Sequence, residues 1–548
     1  MSFRPYLVGI VLTSSAFAQL TSFPKPNYFR ETFQKTKTTV ELKDPVKLQD
    51  FVHSGKLELS LKDYLALVMA NNTDIQLQML SVETPKNAIL RSFATWDPIA
   101  TASFNSQKST TPASDALQGA ATVVQLSQPA SFQYQQLLPT GTLYTATFAA
   151  SKTSTNSGFS TFNPALNSNL SIRFSQPLLR NRGTYVNKLN LMSARSRLRV
   201  SEYNLRFNLL NMVNSAENAY WDVVSARESL KVAEGGQQVA EEFLKLSQKQ
   251  LELGALSPLD IFNPERQLAT AKLAVSQAQF TLAQKEDALR KQIAADLDSK
   301  VRDLPLVLTE SAESPESGPL DRESTVQKAL NARPDLKAAV QNLDVDDLAL
   351  RSARNGLLPN LSLTGSYQTQ GRGGVFYRRT NIFNGDGTSS SILASTPGGF
   401  GDALDQMFGF GYPVYSFGLT LSLPIKSHAA SADMADALVA KKRDSLNVRT
   451  TQQQIRLDIL NAVTNLEGSK EQLKLALTAR DLAQKNYDAE KKKYELGTEQ
   501  NQFVLQAQND LVTAESNVVI NRINVRRNLL TVLTKTGELL DERGIVVQ

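Results

Sequence analysis

Two long stretches of the chain carry apolar residues at alternating steps of three and four positions. The first runs from Leu205 to Leu251 and the second from Val448 to Tyr494, and alanine is frequent in both. Heptad spacing of this kind predicts coiled-coil helices, and alanine allows such helices to pack closely. We therefore expect the first to form a helix over about residues 186–253, roughly 100 Å long at 1.5 Å per residue.

Each long helix is predicted to end at a Glu-Leu-Gly tripeptide, Glu252–Gly254 in the first case and Glu495–Gly497 in the second. Glycine favours the end of a helix because it adopts the left-handed backbone conformation without steric cost. Shorter apolar repeats follow almost at once, over Leu268–Leu289 and Leu511–Val532. Because the connection is only a few residues long, each pair is predicted to form an antiparallel helical hairpin.

Four shorter segments alternate apolar and polar residues, which is the period of a β-strand. They cover residues 99–105, 170–175, 361–367 and 416–423. One face of each strand would carry mainly Leu, Ile, Phe or Tyr, and the other mainly Ser, Thr or Gly. A strand of an outer-membrane barrel has its apolar face outward, whereas a soluble sheet shows the same alternation with that face inward.

Long segments rich in Gly, Ser, Asn and Thr join these strands, at about residues 109–168 and 371–413. The first contains a candidate hairpin around Pro139–Gly141, and the sequence leaves open whether it joins a barrel. Near strand ends, Trp96 and Tyr415 are expected in interfacial aromatic girdles. Four strands, or six, cannot close a membrane barrel, which needs at least about eight. Copies of the chain must therefore share one barrel.

The order of these features indicates an internal duplication. Residues 70–98 resemble 331–359, residues 170–178 resemble 417–425, and the tripeptides form a third pair in the same order. Repeats of this kind indicate one structural unit that is present twice. The predicted organisation is a signal peptide 1–18, an N-terminal linker 19–56, a first repeat 57–301, an inter-repeat linker 302–320, a second repeat 321–540 and a C-terminal tail 541–548.

The N-terminus is typical of an export signal. Arg4 precedes an apolar run over residues 6–13, and Ala16-Phe17-Ala18 is an Ala-x-Ala cleavage site that predicts a mature chain from Gln19. The sequence has no run of about 20 apolar residues that would span a membrane as a helix. The chain is therefore expected to be periplasmic, secreted or an outer-membrane barrel, and the strand pattern favours the outer membrane.

The 548 residues include no cysteine and two histidines, His53 and His428. This excludes disulfides, thiolate metal sites and cysteine nucleophiles, and it argues against histidine-centred catalysis. The net charge of +6 is the difference between 59 basic and 53 acidic residues. The basic residues form no block, so no nucleic-acid partner is indicated. We expect no enzyme activity, no cofactor and no metal.

Several motifs together resemble the TolC-type outer-membrane efflux protein family. They are the export signal, the two halves, the strand end Ser175–Arg180 and the segments Leu259–Phe262 and Phe503–Gln508 that follow the tripeptides. The resemblance covers about residues 57–540. It implies an α+β membrane protein, in which a duplicated unit of β-hairpin and long coiled-coil helix assembles as a homotrimer. Three chains would share a 12-strand outer-membrane β-barrel, with two strands per half from each chain, continued by a periplasmic α-helical tunnel.

The resemblance also implies a function, that of a passive duct from the periplasm to the outside in a tripartite efflux or type I secretion system. An inner-membrane transporter would supply the energy through a periplasmic adaptor protein, and outer-membrane lipid would surround the barrel. A belt near mid-tunnel would use the chain ends and the inter-repeat linker. The alternative is that the chain is itself a periplasmic adaptor, although that class lacks duplicated hairpin ends and strand pairs of this kind.

In the family, the turns after the two tripeptides contact the adaptor. We call the matching residues the first tip and the second tip. They are Leu253, Gly254, Ala255, Leu256 and Ser257 in the first tip, and Leu496, Gly497, Thr498 and Glu499 in the second. The alternative is that Gly254 and Gly497 only terminate helices.

Well-known members of the family constrict the pore with acidic residues six and nine positions after the second-tip glycine. Here those positions hold Phe503 and Gln506, and the corresponding residues of the first half are Asp260 and Asn263. A ring of Asp260 carboxylates, one from each chain, would concentrate cations and narrow the pore. The alternative is that Asp260 only places a favourable negative charge at the start of a helix.

Overall fold

A computed structural model describes residues 46–114, 120–158, 160–254, 257–311, 313, 318, 320–379 and 391–545. The predicted signal peptide with its cleavage site lies outside these residues, as do Ala255 and Leu256 of the first tip. The chain divides into two compact units, and the second, residues 47–548, contains all the helices and strands of the described residues. Among the described residues, no helix is both long and apolar enough to cross a membrane.

The order of strands and helices follows the duplicated pattern of the sequence. The helices of the described residues are α1 Leu61–Asn71, α2 Thr73–Leu80, α3 Glu83–Phe93, α4 Gly183–Asn187, α5 Leu189–Glu252, α6 Phe262–Gln292, α7 Arg322–Ala332, α8 Pro334–Gly356, α9 Phe400–Phe408, α10 His428–Glu495, α11 Asn501–Thr536 and α12 Leu539–Glu542. The strands are β1 Val52–His53, β2 Lys56–Leu59, β3 Ile99–Phe104, β4 Gln107–Pro112, β5 Thr122–Leu137, β6 Leu143–Thr155, β7 Phe162–Pro177, β8 Leu306–Leu308, β9 Asn360–Arg379, β10 Ile392–Thr396 and β11 Pro413–Ser422.

The two long helices expected from the heptad pattern are α5 and α10. They contain 64 and 68 residues, which corresponds to about 96 and 102 Å at 1.5 Å per residue. Two shorter helices, α6 and α11, follow them with 31 and 36 residues and pack back against the long helices. The predicted helical hairpin of each half is therefore confirmed.

The four hairpin helices lie side by side in the order α6, α5, α11, α10. The Lys285 ammonium of α6 is 2.8 Å from the Asp222 carboxylate of α5. Thr534 Oγ1 of α11 donates a hydrogen bond to Asn214 Oδ1 of α5 at 3.1 Å. Asn528 Nδ2 of α11 donates to a backbone carbonyl of α10 at 3.2 Å. The outer members of this layer are consequently α6 and α10.

A belt of small elements packs around the middle of α5. β2 lies between β1 and β8, antiparallel to the first and parallel to the second. Leu57 and Leu306 from this sheet, Tyr64 from α1, Tyr220 from α5 and Leu540 from α12 share one apolar core. The segment between the repeats and the residues near the C-terminal end thus join a common belt, as the resemblance implies.

The remaining strands form one antiparallel sheet. Its order is β3 and β4, then β5, β6, β7 and β9, then β10 and β11, because β3 and β4 both pair with β5 while β10 and β11 both pair with β9. The sheet is therefore six strand positions wide, where β3 and β4 share one position and β10 and β11 share another. The pairing of β5 with β6 ends at Leu137 opposite Leu143, so the candidate hairpin around Pro139–Gly141 is an integral part of the sheet.

This sheet corrects the expectation of two strands per half. The first half supplies four strand positions and the second half two, so three copies would bring more than twelve strands. The reason is that residues 122–155, expected to be mostly loop, hydrogen-bond as β5 and β6 to β3 on one side and β7 on the other. The predicted loop 371–413 likewise contains the end of β9, together with β10 and α9.

The two faces of the sheet differ in chemistry, as expected from the alternation. We call them the apolar face and the polar face. One cross-strand row of the apolar face consists of Tyr134, Ala146, Ile172, Tyr367 and Tyr415. The neighbouring row, on the polar face, consists of Gln135, Thr145, Arg173, Ser366 and Ser416.

Candidate functional site: the hairpin tips and the two faces of the sheet

Both tips are built on a glycine in the left-handed conformation. The φ angle is +72° at Gly254 and +74° at Gly497, a region that side chains with a Cβ rarely adopt. At the second tip, Gly497 N donates to the Tyr494 carbonyl and Thr498 N to the Lys493 carbonyl, both at 3.0 Å. This pair of bonds is the Schellman motif, which satisfies the last carbonyls of a helix. The helix-terminating role of the tip glycines is therefore part of their structure.

Helix termination does not account for the leucines of the tips. Leu253 is 84% exposed and Leu496 is 80% exposed, although a turn needs no apolar side chain at these positions. Thr498 contributes to the turn, since its hydroxyl donates to the Lys493 carbonyl at 3.0 Å. Exposed leucines at equivalent places in two repeats fit a contact with another molecule. That the tips bind an adaptor stays a prediction.

The two tips are far apart in the sequence but lie next to each other in the folded protein. Asn501 Nδ2, just after the second tip, donates to the Asp260 carbonyl, just after the first, at 3.2 Å. Further along the helices, the Phe243 and Tyr494 rings pack with centroids 5.2 Å apart. Burial raises the pKa of the Tyr487 hydroxyl in the same cluster, and nearby carboxylates add to that rise. The tips therefore have a firm apolar support.

The predicted pore residues are solvent-exposed around this junction. Asp260 and Asn263 flank the start of α6, and Phe503 and Gln506 lie in the first turns of α11. The residue that precedes α6 is Ile261, and no side chain caps that helix. In the described part of the chain, Asp260 is thus not a hydrogen-bonded cap. A role of its charge, either for the helix or for a pore, stays a prediction.

An acidic residue that the sequence analysis did not single out lies one helical turn beyond Gln506. The Gln506 amide donates to Asp510 Oδ1 at 2.9 Å. Phe503, Gln506 and Asp510 follow each other at steps of three and four, so they share one exposed stripe of α11. The second half therefore does carry a carboxylate near its tip, displaced from the two positions expected for the family.

The polar face of the sheet carries hydroxyl pairs between neighbouring strands. The Ser103 and Ser131 hydroxyls are 2.7 Å apart across β3 and β5, and those of Ser366 and Ser416 are 2.8 Å apart across β9 and β11. Arg173 lies on the same face. Such a surface is suited to line a water-filled passage.

The apolar face is largely uncovered over β11. Its residues Tyr415, Phe417, Leu419 and Leu421 are all exposed, Phe417 to 77%. Exposed apolar surface on this scale indicates contact with lipid or with another protein. The neighbouring polar row supplies the alternation that barrel strands show in a membrane.

Both sides of the unit end in surfaces that have no partner among the described residues. The sheet ends at β3 and β4 on one side and at β10 and β11 on the other. Apolar side chains are exposed on the two outer helices, Leu273 and Phe280 on α6 and Leu475 and Leu482 on α10. Open strand edges are rare without a partner, so these surfaces fit further copies of the chain.

Residues 325–538 match the model of a family described as outer membrane efflux protein. The probable efflux pump outer membrane protein TtgC of Pseudomonas putida is 23% identical over 328 residues, which cover 59% of this chain and 60% of TtgC. The match therefore spans less than two thirds of that relative's own length.

Solved structures share the fold over most of the chain. The outer membrane channel CmeC of Campylobacter jejuni aligns with a TM-score of 0.59 at 16% identity, covering 93% of this chain and 91% of CmeC. The outer membrane protein VceC of Vibrio cholerae aligns with a TM-score of 0.59 at 13% identity, covering 87% of this chain and 96% of VceC. The sheet and the long helical hairpins thus belong to one known fold.

Proposed function

We propose that the chain is a passive export duct of the outer membrane, because residues 325–538 match the model of the outer membrane efflux protein family. The observation that carries this proposal is the continuity of two surfaces. A sheet with one exposed apolar face and one polar face passes, through β7 and a short α4, directly into the α5 helix of about 96 Å. The sheet would cross the membrane and the helices would extend into the periplasm.

The assembly is a homotrimer. The six strand positions of one chain are too few to close a membrane barrel, since the smallest have about eight strands. The open edges at β3 and β11, with the exposed leucines of α6 and α10 below them, fit the same surfaces of neighbouring copies. Three copies of six positions make a barrel of eighteen strands. At equal strand tilt its diameter would be about 1.5 times that of the family's 12-strand barrel, because diameter grows roughly linearly with strand number.

The duct works with a periplasmic adaptor protein and an inner-membrane transporter that supplies the energy. The name of TtgC, an efflux pump outer membrane protein, supports this arrangement. The tips support it too, because Leu253 and Leu496 are exposed at the ends of both hairpins. Transport through the duct needs no catalytic step. The alternative of a periplasmic adaptor leaves the exposed apolar face of the sheet without lipid to cover it.

Purified full-length protein in detergent tests the assembly. Native mass spectrometry should give three chains, and the same sample should form stable open channels in planar lipid bilayers. Both results follow from shared barrel closure by three sheets. A monomer that forms no channels would contradict the proposed function.

Replacing Asp260 with asparagine tests the pore mouth. We expect block of the channel by divalent cations to weaken and leak conductance to rise, because three carboxylates at a constriction concentrate cations. The measurement is single-channel conductance in planar bilayers with and without the cation.

The matched control is Glu265→Gln, which removes a charge from the first turn of the same helix. Both variants should lose only about 0.3–1 kcal/mol of stability through the helix dipole. If Asp260→Asn and Glu265→Gln leave cation block equally unchanged, the Asp260 charge serves the helix and not the pore.

A further inference from the structure

The short helix α9 follows β10 and precedes β11 in the sequence. It packs flat on β7 and β9 of the sheet. Its Ala403 and Met407 side chains are fully buried. The Ser168 hydroxyl of β7 donates to the Ala403 carbonyl at 2.7 Å, and the Thr369 hydroxyl of β9 donates to the Met407 carbonyl at 2.9 Å. Two strands thus hold the helix through its backbone as well as through its apolar side chains.

Glycines of β9 form the seat of this helix. A Cβ on Gly371 would overlap the Ala403 carbonyl oxygen, and a Cβ on Gly373 would overlap the Gly399 carbonyl oxygen. Glycine in the interior of a strand often marks a place where another backbone approaches closely. The close approach of α9 is therefore encoded in the sequence of β9.

The helix lies on the apolar face of the sheet. Thr369, Gly371 and Gly373 follow Tyr367 at steps of two, and successive side chains of a strand alternate between faces. Ser168 of β7 lies directly opposite Gly371 in the register. In the proposed barrel, whose apolar face is turned to lipid, α9 is consequently on the outside, and any role of α9 at the membrane rests on that proposed function.

The position of α9 along the strands is close to the external end of the barrel. β9 begins at Asn360, just after α8, and this end of the sheet joins the helices. The apolar row of Tyr367 and Tyr415 lies several residues further, and α9 covers the next segment, up to Gly373. The helix is therefore at the upper border of the lipid-facing band.

The free surface of α9 and of the turn after it is rich in aromatic side chains. Phe400, Phe408, Phe410 and Tyr412 are exposed, Phe408 to 60%. Phe410 has φ of +55°, a left-handed conformation that is unfavourable for a bulky residue. Its ring centre lies 6.3 Å from that of Tyr367, so the strained backbone brings the ring against the lipid-facing band.

The same helix has a polar side. Asp402 Oδ2 accepts a hydrogen bond from Gly399 N at 2.7 Å, and Asp402 and Asp405 are both exposed. Aromatic residues are enriched where a membrane meets water, and a helix with one aromatic and one charged side lies in that plane. A second copy of the chain is a poorer fit, because the hydrogen bonds that hold α9 come from β7 and β9, whereas the sheet ends at β10 and β11.

We propose that α9 with Phe410 and Tyr412 is an interfacial anchor that inserts its aromatic rings among the lipid headgroups of the outer leaflet. The anchor sets the height of the barrel in the membrane. Its partner is the lipid surface itself.

The absence of cysteine from the chain allows single-cysteine labelling to test the anchor. A polarity-sensitive fluorophore is placed at Phe408→Cys, at Leu419→Cys in the lipid-facing band and at Asp405→Cys on the polar side of α9. The full-length protein is reconstituted into phosphatidylcholine vesicles that contain lipids with a nitroxide quencher either near the headgroup or near the end of the acyl chain.

The anchor requires that the headgroup quencher act on the label at residue 408 several-fold more than the deep quencher does. The label at residue 419 should show the reverse preference, and the label at residue 405 little quenching by either. Quenching at residue 419 with none at residue 408 overturns the anchor and leaves the barrel standing. No quenching at residue 419 overturns the proposed barrel itself, and the anchor with it.

Displacing the helix gives an independent check. Gly371→Val, combined with the label at residue 408, should remove most of the headgroup quenching, because the added side chain occupies the seat of α9. Gly401→Val is the control, since a Cβ there meets nothing within 4 Å. Headgroup quenching in Gly371→Val that equals that in Gly401→Val would show that Gly371 does not position α9, and would contradict the close packing of α9 on β9.

Discussion

Replacing Leu419 with arginine is expected to prevent most chains from assembling in the outer membrane. Leu419 lies on the exposed apolar face of β11, opposite Leu363 of β9. A lipid-facing arginine near the membrane midplane costs about 2–4 kcal/mol, and a trimer would carry three. The fraction of chains recovered as trimer from the outer membrane measures the effect.

The neighbouring residue provides a matched control. Thr420 is next in the strand and points to the polar face, opposite Ser362. Thr420→Arg should therefore leave the proposed trimer in the membrane and lower its cation conductance, since the added charges would line the passage. If the two arginine variants assemble equally well, the assignment of the two faces to lipid and water is wrong.

The long helices could be predicted from the sequence because their signal is local and repeated. Each heptad from Leu205 to Leu251 indicates the same structure, and Gly254 and Gly497 mark the ends at the observed turns. The position of the tips follows from the same signal. Their adjacency, through Asn501 and Asp260, depends on packing between the two repeats, and no local pattern contains it.

The strands of the first half show where the sequence signal ends. Alternation predicted β3, β7, β9 and β11 correctly. The residues around Pro139–Gly141 were a candidate hairpin, but the sequence left open whether β5 and β6 join the sheet, because they lie in a long segment rich in small and polar residues. What makes them strands is hydrogen bonding to β3 and β7. The nine residues of α9 were hidden for a related reason, because the helix needs the glycine seat of β9 to be stable.

A buried charge could not be found from the sequence either. Glu217 of α5 sits among heptad residues like any surface carboxylate, but its side chain is only 2% exposed. Its partner Arg543 is in the segment predicted to be a C-terminal tail, and it donates hydrogen bonds to both carboxylate oxygens at 2.6 and 2.9 Å. The Trp221 indole donates a third at 3.4 Å. Such a pairing between distant residues has no signature in spacing.

Removing this carboxylate by Glu217→Ala is expected to destabilise the protein by about 3 kcal/mol. Breaking a buried ion pair by removing one partner costs about 3–5 kcal/mol. The lower value applies here, because Arg543 keeps 29% of its side chain exposed and is partly hydrated. The loss should appear as a lower urea midpoint of the purified protein, followed by circular dichroism. Arg543→Ala should cost at least as much, since it leaves the more deeply buried charge of Glu217 unpaired.

Two further variants separate the cost of an unpaired charge from the value of the pair. In Glu217→Met with Arg543→Met, most of the lost stability should return, because apolar side chains of similar volume often replace a buried ion pair without loss. Asp541→Ala breaks the exposed bridge from Arg206 between the same two segments, 2.7 Å long, and should cost at most about 1 kcal/mol. If Glu217→Ala costs no more than Asp541→Ala, then Glu217 is not buried in the assembled protein. The C-terminal segment would then have to leave α5 when three chains come together.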